Sequence, residues 1–315
     1  MQPLPNIFSV DVEDYFHVNA FKHVIRDDEW GSYPGRVVPN THRILGLLNR
    51  YQVPAVFFVL GWVADRYPGL VRDIQKSGHE IGSHSFRHRL VYTLTPEEFR
   101  EDLLNSCKVI EEIIGETVKS YRAPSFSVTK NSLWALDILA EEGIKLDSSI
   151  YPIRHDVYGI PDAEQMPHTL DTAAGHIHEF PGTVCRRFGM NVPVGGGGYF
   201  RQFTWNWTRT CLRRTNDAGR PFMFYIHPWE VDPDQPRVSR IGLKSRLRHY
   251  RNLHTTEPKL ERLLKEFRFG RLSDVVTTLE ERCQVSGGGC QEQGARSKEK
   301  TDGKRRQEIA APPSS

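Results

Sequence analysis

Apolar runs of strand length alternate with amphipathic stretches of helix length along the first half of this chain, and that alternation limits what it can fold into. Ile7-Phe8-Ser9-Val10 and Val53 to Leu60 read as buried strands. Val38 to Tyr51 reads as a helix with Ile44, Leu45, Leu47 and Leu48 on one face and Asn40 or Thr41 as its N-cap. A second helix is predicted over Tyr67 to Ser77, ended by Gly78, and His79 to Ser83 as a short strand. Thr95-Pro96-Glu97-Glu98 spells a capping box with proline at the first helical position, so a helix is expected to about Ile114. Ser120 to Pro124 then reads as a strand end, Asn131 to Glu142 as a helix closed by Gly143, and Ile144 to Ser149 as a strand. Strand and helix in strict turn predict a parallel α/β architecture.

A chain of 315 residues with no composition break before about residue 284 favours one large domain, 1–284. Within it, about 151–215 reads as an excursion over the mouth of the sheet, with a short strand at His176 to Phe180. Leu260 to Phe267 is expected as a late helix and Leu272 to Leu279 as the closing element. Residues 285–315, rich in Gly, Ser, Lys and Glu, are expected to be a disordered tail.

The formal net charge is +3, and residues 286–315 hold six Lys/Arg against four Asp/Glu, so the body is nearly neutral and no nucleic-acid partner is implied. Residues 240–271 carry ten Lys/Arg and three Glu, which reads as a solvated basic helix face or a contact for an anionic glycan. No apolar run approaches the ~20 residues of a membrane span, so no integral membrane segment is expected. The five cysteines are scattered without a CxxC, and the N-terminus lacks a basic leader region. These features together give the expectation of a cytoplasmic protein.

Polar chemistry gathers where strands end, which is where an α/β protein places its site. Asp11, Glu13 and Asp14 follow the first apolar run. Strand alternation puts Asp11 and Glu13 on one face, and Asp14 joins them only if the chain turns; the plainer reading is a solvated strand end or a helix N-cap. His84 and His88 stand four apart in Gly-His-Glu-Ile-Gly-Ser-His-Ser-Phe-Arg-His, a spacing that puts both imidazoles on one helical face for a divalent ion. Arg122 precedes Pro124 at the next strand end, Asp147 ends another, and His227 closes Phe222 to Ile226, followed by Pro228-Trp229-Glu230. Gly195 to Gly198 lack the Lys-Ser/Thr of a phosphate loop and read as a tight turn that lets backbone approach substrate or another strand.

This set, in this order, resembles the polysaccharide deacetylase proteins (NodB homology, carbohydrate esterase family 4), marked by an acidic strand end, H-S/T-x-x-H, R-x-P, an Asp-Ser strand and a late His. The resemblance covers about Phe8 to Val276. Asp-Val-Glu-Asp-Tyr-Phe-His, Gly-Gly-Gly-Tyr-Phe-Arg and His-Pro-Trp-Glu further resemble a branch associated with exopolysaccharide loci and exosortase-type systems.

The resemblance implies a single-domain deformed (β/α) barrel. Asp11 would be the general base, His84 and His88 ligands of zinc or a similar divalent ion, and one of Glu13 and Asp14 the third ligand. His227 would be the general acid and Arg122 the positioner of Asp11, with Pro124, Ser125, Asp147 and Trp229 at the substrate and Asp147 also able to orient His227. It implies an N-acetylated amino-sugar polymer or its lipid-linked precursor as substrate, with peripheral contact to a lipid-linked glycan. The chain departs from the family pattern at Ser125, where an aromatic often follows the proline, and in having no tryptophan soon after Asp147-Ser148-Ser149. Two rival readings are an allantoinase-like hydrolase of a small cyclic amide on the same fold and a non-catalytic glycan-binding protein.

Overall fold

The computed structural model describes residues 4–187 and 189–285. One compact unit runs through Leu279; beyond it, Glu280 to Val285 are described as the end of the last helix. The tail expected over 285–315 lies, past Val285, outside the described residues.

In chain order the elements are β1 (Ile7–Val12), α1 (Val37–Tyr51), β2 (Val56–Val59), α2 (Gly61–Arg66), α3 (Pro68–Lys76), β3 (Glu80–Ser83) and α4 (Pro96–Ile114). Then come β4 (Ser120–Tyr121), α5 (Trp134–Glu141), β5 (Leu146–Asp147), β6 (His168–Thr172), β7 (Gly175–Glu179), β8 (Val184–Arg187) and β9 (Met190–Pro193). The chain continues through α6 (Gly197–Gln202), α7 (Trp205–Asp217), β10 (Met223–Ile226), α8 (Leu243–Tyr250), α9 (Thr256–Glu266) and α10 (Leu272–Val285).

Eight strands form one sheet in the order β10-β1-β2-β3-β4-β5-β7-β6, parallel throughout except for β6, which pairs antiparallel with β7. The sheet curls into an incomplete barrel of the deformed (β/α) type. The strand at 175–179 belongs to this main sheet, while β8 and β9 make a separate hairpin sheet. Outward residues Phe8, Val10 and Val12 of β1 pack with Ile44, Leu47, Leu48 and Val71 of the helices. Inward, Ile7, Val56, Phe58, Leu146 and Met223 meet Leu272, Val275 and Leu279 of α10, which is the closing element expected. Each such buried apolar side chain contributes about 1.5–3 kcal/mol.

Local chemistry explains most boundaries. Thr95 Oγ1 accepts from the Glu98 amide while Glu98 returns a bond to the Thr95 amide, and Gly115 ends α4 in the left-handed region at φ 71°. The helix expected over 67–77 is α3, and Pro68 opens it as a helix separate from α2, which ends just before it. Gly196 (φ 127°) pairs with Tyr225 of β10, and a Cβ there would stand 1.9 Å from the Tyr225 carbonyl oxygen. The glycine run therefore serves close backbone approach to a strand.

Candidate metal centre and catalytic site

Asp11 lies on the inward face near the C-terminal end of β1, two residues after Ser9. Arg122, immediately past β4, is 1 % exposed and sends Nη1 to Asp11 Oδ1 at 2.7 Å and to Ser9 Oγ at 2.9 Å. Its other nitrogens donate to the Ser148 carbonyl and hydroxyl. A buried ion pair holds only when its remaining donors are satisfied; here they are, so the Asp11 carboxylate is fixed in one place.

His84 and His88 come together by a route different from the one the spacing suggested. Residues 84–88 are a loop after β3, not a helix, with Ser85 at φ 65° and His88 at φ 50°. The Asp102 carboxylate, on α4, accepts from the amides of Phe86 (2.6 Å) and Arg87 (3.2 Å), and Ser106, one turn on, donates to the Ser85 carbonyl. Ser85 Oγ accepts from the His88 amide, and Lys22 Nζ donates to the His88 carbonyl. The two rings end with centroids 5.3 Å apart.

Glu13, His84 and His88 each offer a ligand atom within 4.8 Å of the others, all buried. His84 donates Nδ1–H to the Arg122 carbonyl at 2.8 Å, which leaves Nε2 with its lone pair free. Burial, aided by His88, pushes the His84 imidazole down to about 4, so it stays neutral. Glu13 Oε2 lies 2.7 Å from His88 Nε2, yet no hydrogen bond satisfies that oxygen. Burial alone would raise the Glu13 carboxyl, but His88 and His227 hold it well below the usual range. Converging lone pairs from two imidazoles and one ionised carboxylate fit a zinc-like divalent ion.

Asp14 is placed elsewhere. Its Oδ2 accepts from the amides of Arg36 (2.6 Å) and Val37 (2.9 Å), and so caps α1, whose own N-cap residue gives no side-chain bond. The cap reading thus describes Asp14 and the shared-face reading describes Glu13.

His227, just past β10, is the most accessible of the group, with 19 % of its side chain exposed. Its Nε2 faces Glu13 Oε1 at 3.6 Å and Asp11 Oδ2 at 3.9 Å, and its Nδ1 lies 2.6 Å from Glu230 Oε1. Burial opposes the imidazolium, but Glu13, Glu230 and Asp11 outweigh it and push His227 up to about 9. Glu230 is in turn held by Arg201 Nε at 2.6 Å. Against burial, Arg201 and His227 keep its carboxyl below the usual range.

Two residues expected at the substrate have other settings. Trp229 is 5 % exposed, stacked between His227 and His249, and donates Nε1–H to Glu13 Oε1 at 3.1 Å. Asp147 does not orient His227; it is fully buried, bonded to Ser149, with its carboxyl against that of Glu179 on the neighbouring strand. Pro124 opens a short 3-10 turn after Arg122, in which Ser125 takes φ 54°.

Sequence reading missed Glu230, Arg201, Asp102 and His17. The first two sit in the quoted motifs His-Pro-Trp-Glu and Gly-Gly-Gly-Tyr-Phe-Arg, but nothing in either motif says that they pair. His17, 1 % exposed, accepts from the Asp14 amide at Nδ1, and its Nε2 has no partner. Burial lowers its imidazole to about 3, and it lies close enough to feel the charges of Glu13, His88 and His84.

Residues 27–145 match the family model described as polysaccharide deacetylase, and residues 148–277 match a domain of unknown function, DUF3473. The chain carries a polysaccharide deacetylase domain, followed by DUF3473. A peptidoglycan-N-acetylglucosamine deacetylase of Bacillus cereus is 26% identical over 151 residues, 44% of this chain and 53% of that protein. A chitooligosaccharide deacetylase of a Bradyrhizobium species is 29% identical over 101 residues, 32% of this chain and 43% of that protein. The chain therefore spans about half, or less, of these relatives' length.

Among solved structures, a Mycobacterium smegmatis protein assigned to the polysaccharide deacetylases superposes with TM-score 0.57 at 19% identity, over 90% of this chain and 93% of that one. The PuuE allantoinase gives TM-score 0.56 at 19% identity, over 87% and 89%. Both likenesses establish the polysaccharide deacetylase fold and nothing finer. His84, His88 and Arg122 fall in the first matched segment, His227, Glu230 and Arg201 in the second, and Asp11 and Glu13 before either.

Proposed function

We propose that the protein hydrolyses N-acetyl groups from an amino-sugar glycan, or its lipid-linked precursor, for exopolysaccharide synthesis. The observation that carries this reading is the juxtaposition of an anchored carboxylate and an oriented imidazole, Asp11 and His227, 3.9 Å apart beside the Glu13, His84 and His88 cluster. The deacetylase activities named for the relatives supply the substrate class.

Glu13, His84 and His88 would hold a divalent ion, zinc in the first instance. Bound there, the ion supplies Lewis acidity toward the acetyl carbonyl and toward water. Asp11, held in place by Arg122, takes a proton from the water that attacks the carbonyl carbon. The oxyanion that forms would be met by a backbone N–H near Ser125, a donor of a kind commonly worth ~3 kcal/mol. His227, protonated at neutral pH, gives its Nε2 proton to the amide nitrogen as the C–N bond breaks. Acetate and a free amine leave. Glu230 keeps the Nδ1 side of that ring occupied, so Nε2 is the nitrogen presented to substrate.

No helix among the described residues is long and apolar enough to cross a membrane. We place the protein in the cytoplasm, the setting in which thiols such as Cys107, Cys185 and Cys211 stay reduced. Acetate release from N-acetylglucosamine oligomers by wild type and by Asp11→Asn tests the reading. We expect release by the wild type and a loss of about 100-fold or more in the variant. Equal release by both removes Asp11 from the mechanism, and hydrolysis of a cyclic ureide with no acetate release assigns the site to the allantoinase-like reaction.

A further inference from the structure

Helix α8 is unlike the other surface helices. Leu243 and Leu247, one turn apart, are 72% and 57% exposed, the first being the most exposed of the large hydrophobic residues. Around them Arg237, Arg240, Lys244, Arg246, Arg248 and Arg251 are all exposed. No acidic residue occurs between Asp234 and Glu257. Several surface arginines elsewhere pair with carboxylates: Arg43 with Glu257, Arg50 with Glu261, Arg209 with Glu266. Among the described residues none of these six cations makes a salt bridge; Arg237 lies over the Tyr250 ring at 4.3 Å.

The neighbouring segment does not neutralise the patch. His155 lies near Arg248 and Lys244, with Asp156 the one acid close by and Arg154 exposed beside it. Nor is the helix loosely attached. Arg201 Nη1 donates to the carbonyls of His249 (2.8 Å) and Arg251 (2.9 Å), and Nη2 to that of Arg248 (3.1 Å). The buried His249 ring bonds Gln235 at 2.7 Å. The C-terminal carbonyls of α8 are thereby tied to the same arginine that holds Glu230, so the exposed face stands at a fixed place relative to His227.

We propose that α8 docks this protein on an anionic lipid bilayer, Leu243 and Leu247 entering the interface and the six cations meeting lipid phosphates. Charge complementarity selects an anionic occupant. The leucines select a bilayer over a polyanionic glycan or nucleic acid, since those partners give an aliphatic pair nothing to bury in. The docking surface is independent of the deacetylase reading, because it is measured without substrate.

The test is sedimentation of the full chain with vesicles of phosphatidylcholine alone and of phosphatidylcholine mixed with phosphatidylglycerol. Two variants accompany it, Leu243→Ser/Leu247→Ser and Lys244→Glu/Arg246→Glu, each checked for fold by circular dichroism. Wild type should pellet with the mixed vesicles and not with the neutral ones. Each cation is worth about fivefold in partitioning, so the charge variant should bind at least about 25-fold more weakly. The serine variant should lose about fivefold or more. Failure of the wild type to bind mixed vesicles overturns the proposal. So does binding that survives both variants, which would belong to basic residues outside this patch. Binding lost only on charge reversal assigns the patch to a polyanion and overturns it equally.

Discussion

The His227 imidazole gives its Nδ1–H to Glu230 across 2.6 Å, and Glu230, kept ionised by Arg201, can only accept. That one bond decides which ring nitrogen faces Asp11 and Glu13. It also supplies part of the negative charge that holds His227 up to about 9, after burial has worked the other way.

Glu230→Gln separates charge from position, because the amide can still accept the Nδ1–H. The protonated ring is the acid form, and it is lost as pH rises through its pKa. With the carboxylate gone that loss comes earlier, so the alkaline limb of the kcat profile should move to lower pH and kcat at neutral pH should fall about tenfold or more. A profile superimposable on the wild type would mean that Glu230 does not act on His227.

Asp102→Ala addresses the loop that carries the histidines. The variant leaves two amides, of Phe86 and Arg87, without their acceptor, at a cost of about 1–3 kcal/mol. Metal affinity should drop about 10–100-fold, since ligand positions are lost without loss of ligands. Thermal unfolding and metal titration measure the two effects; a lower melting temperature with unchanged affinity would show that the loop does not depend on Asp102.

The Asp147 and Glu179 carboxyls make a pH-dependent liability. Burial raises Asp147 to about 6 and Glu179 well above its usual range, with Asp147 adding to the latter. Carboxyls raised in the folded state favour folding while protonated, so the penalty is absent below the unfolded value near 4 and grows as pH rises through about 6. Glu179→Gln should therefore be more stable than wild type at pH 8, by about 2–6 °C in melting temperature, and gain less at pH 5. A variant less stable at both pH values would show that the pair is held by something other than a shared proton.

How much of this was legible in the sequence depends on how local each signal was. Thr95, Pro96 and Glu98 specify the start of α4 among themselves, and the strand-end positions of Asp11, Arg122 and His227 follow from where apolar runs stop. Spacing misled at His84 and His88. A four-residue interval suits a helix face, but Asp102 and Ser106, from another element, impose a loop that meets the same need. Asp14 and Glu13 are adjacent in sequence and were separable only by knowing that the start of α1 folds back onto Asp14. Glu179 and Arg201 were invisible because their partners, Asp147 and Glu230, are brought to them by sheet order and by the approach of Gly196 to β10.

The central claim is that Glu13, His84 and His88 hold one divalent ion while Asp14 serves the fold. Metal bound per chain, measured on protein purified without chelator, tests it most directly, in the wild type and in Glu13→Gln, His84→Ala, His88→Ala and Asp14→Asn. About one ion in the wild type and in Asp14→Asn, with loss in the other three, is the predicted result. Metal retained in Glu13→Gln and lost in Asp14→Asn, or no metal in any of the five, would contradict it.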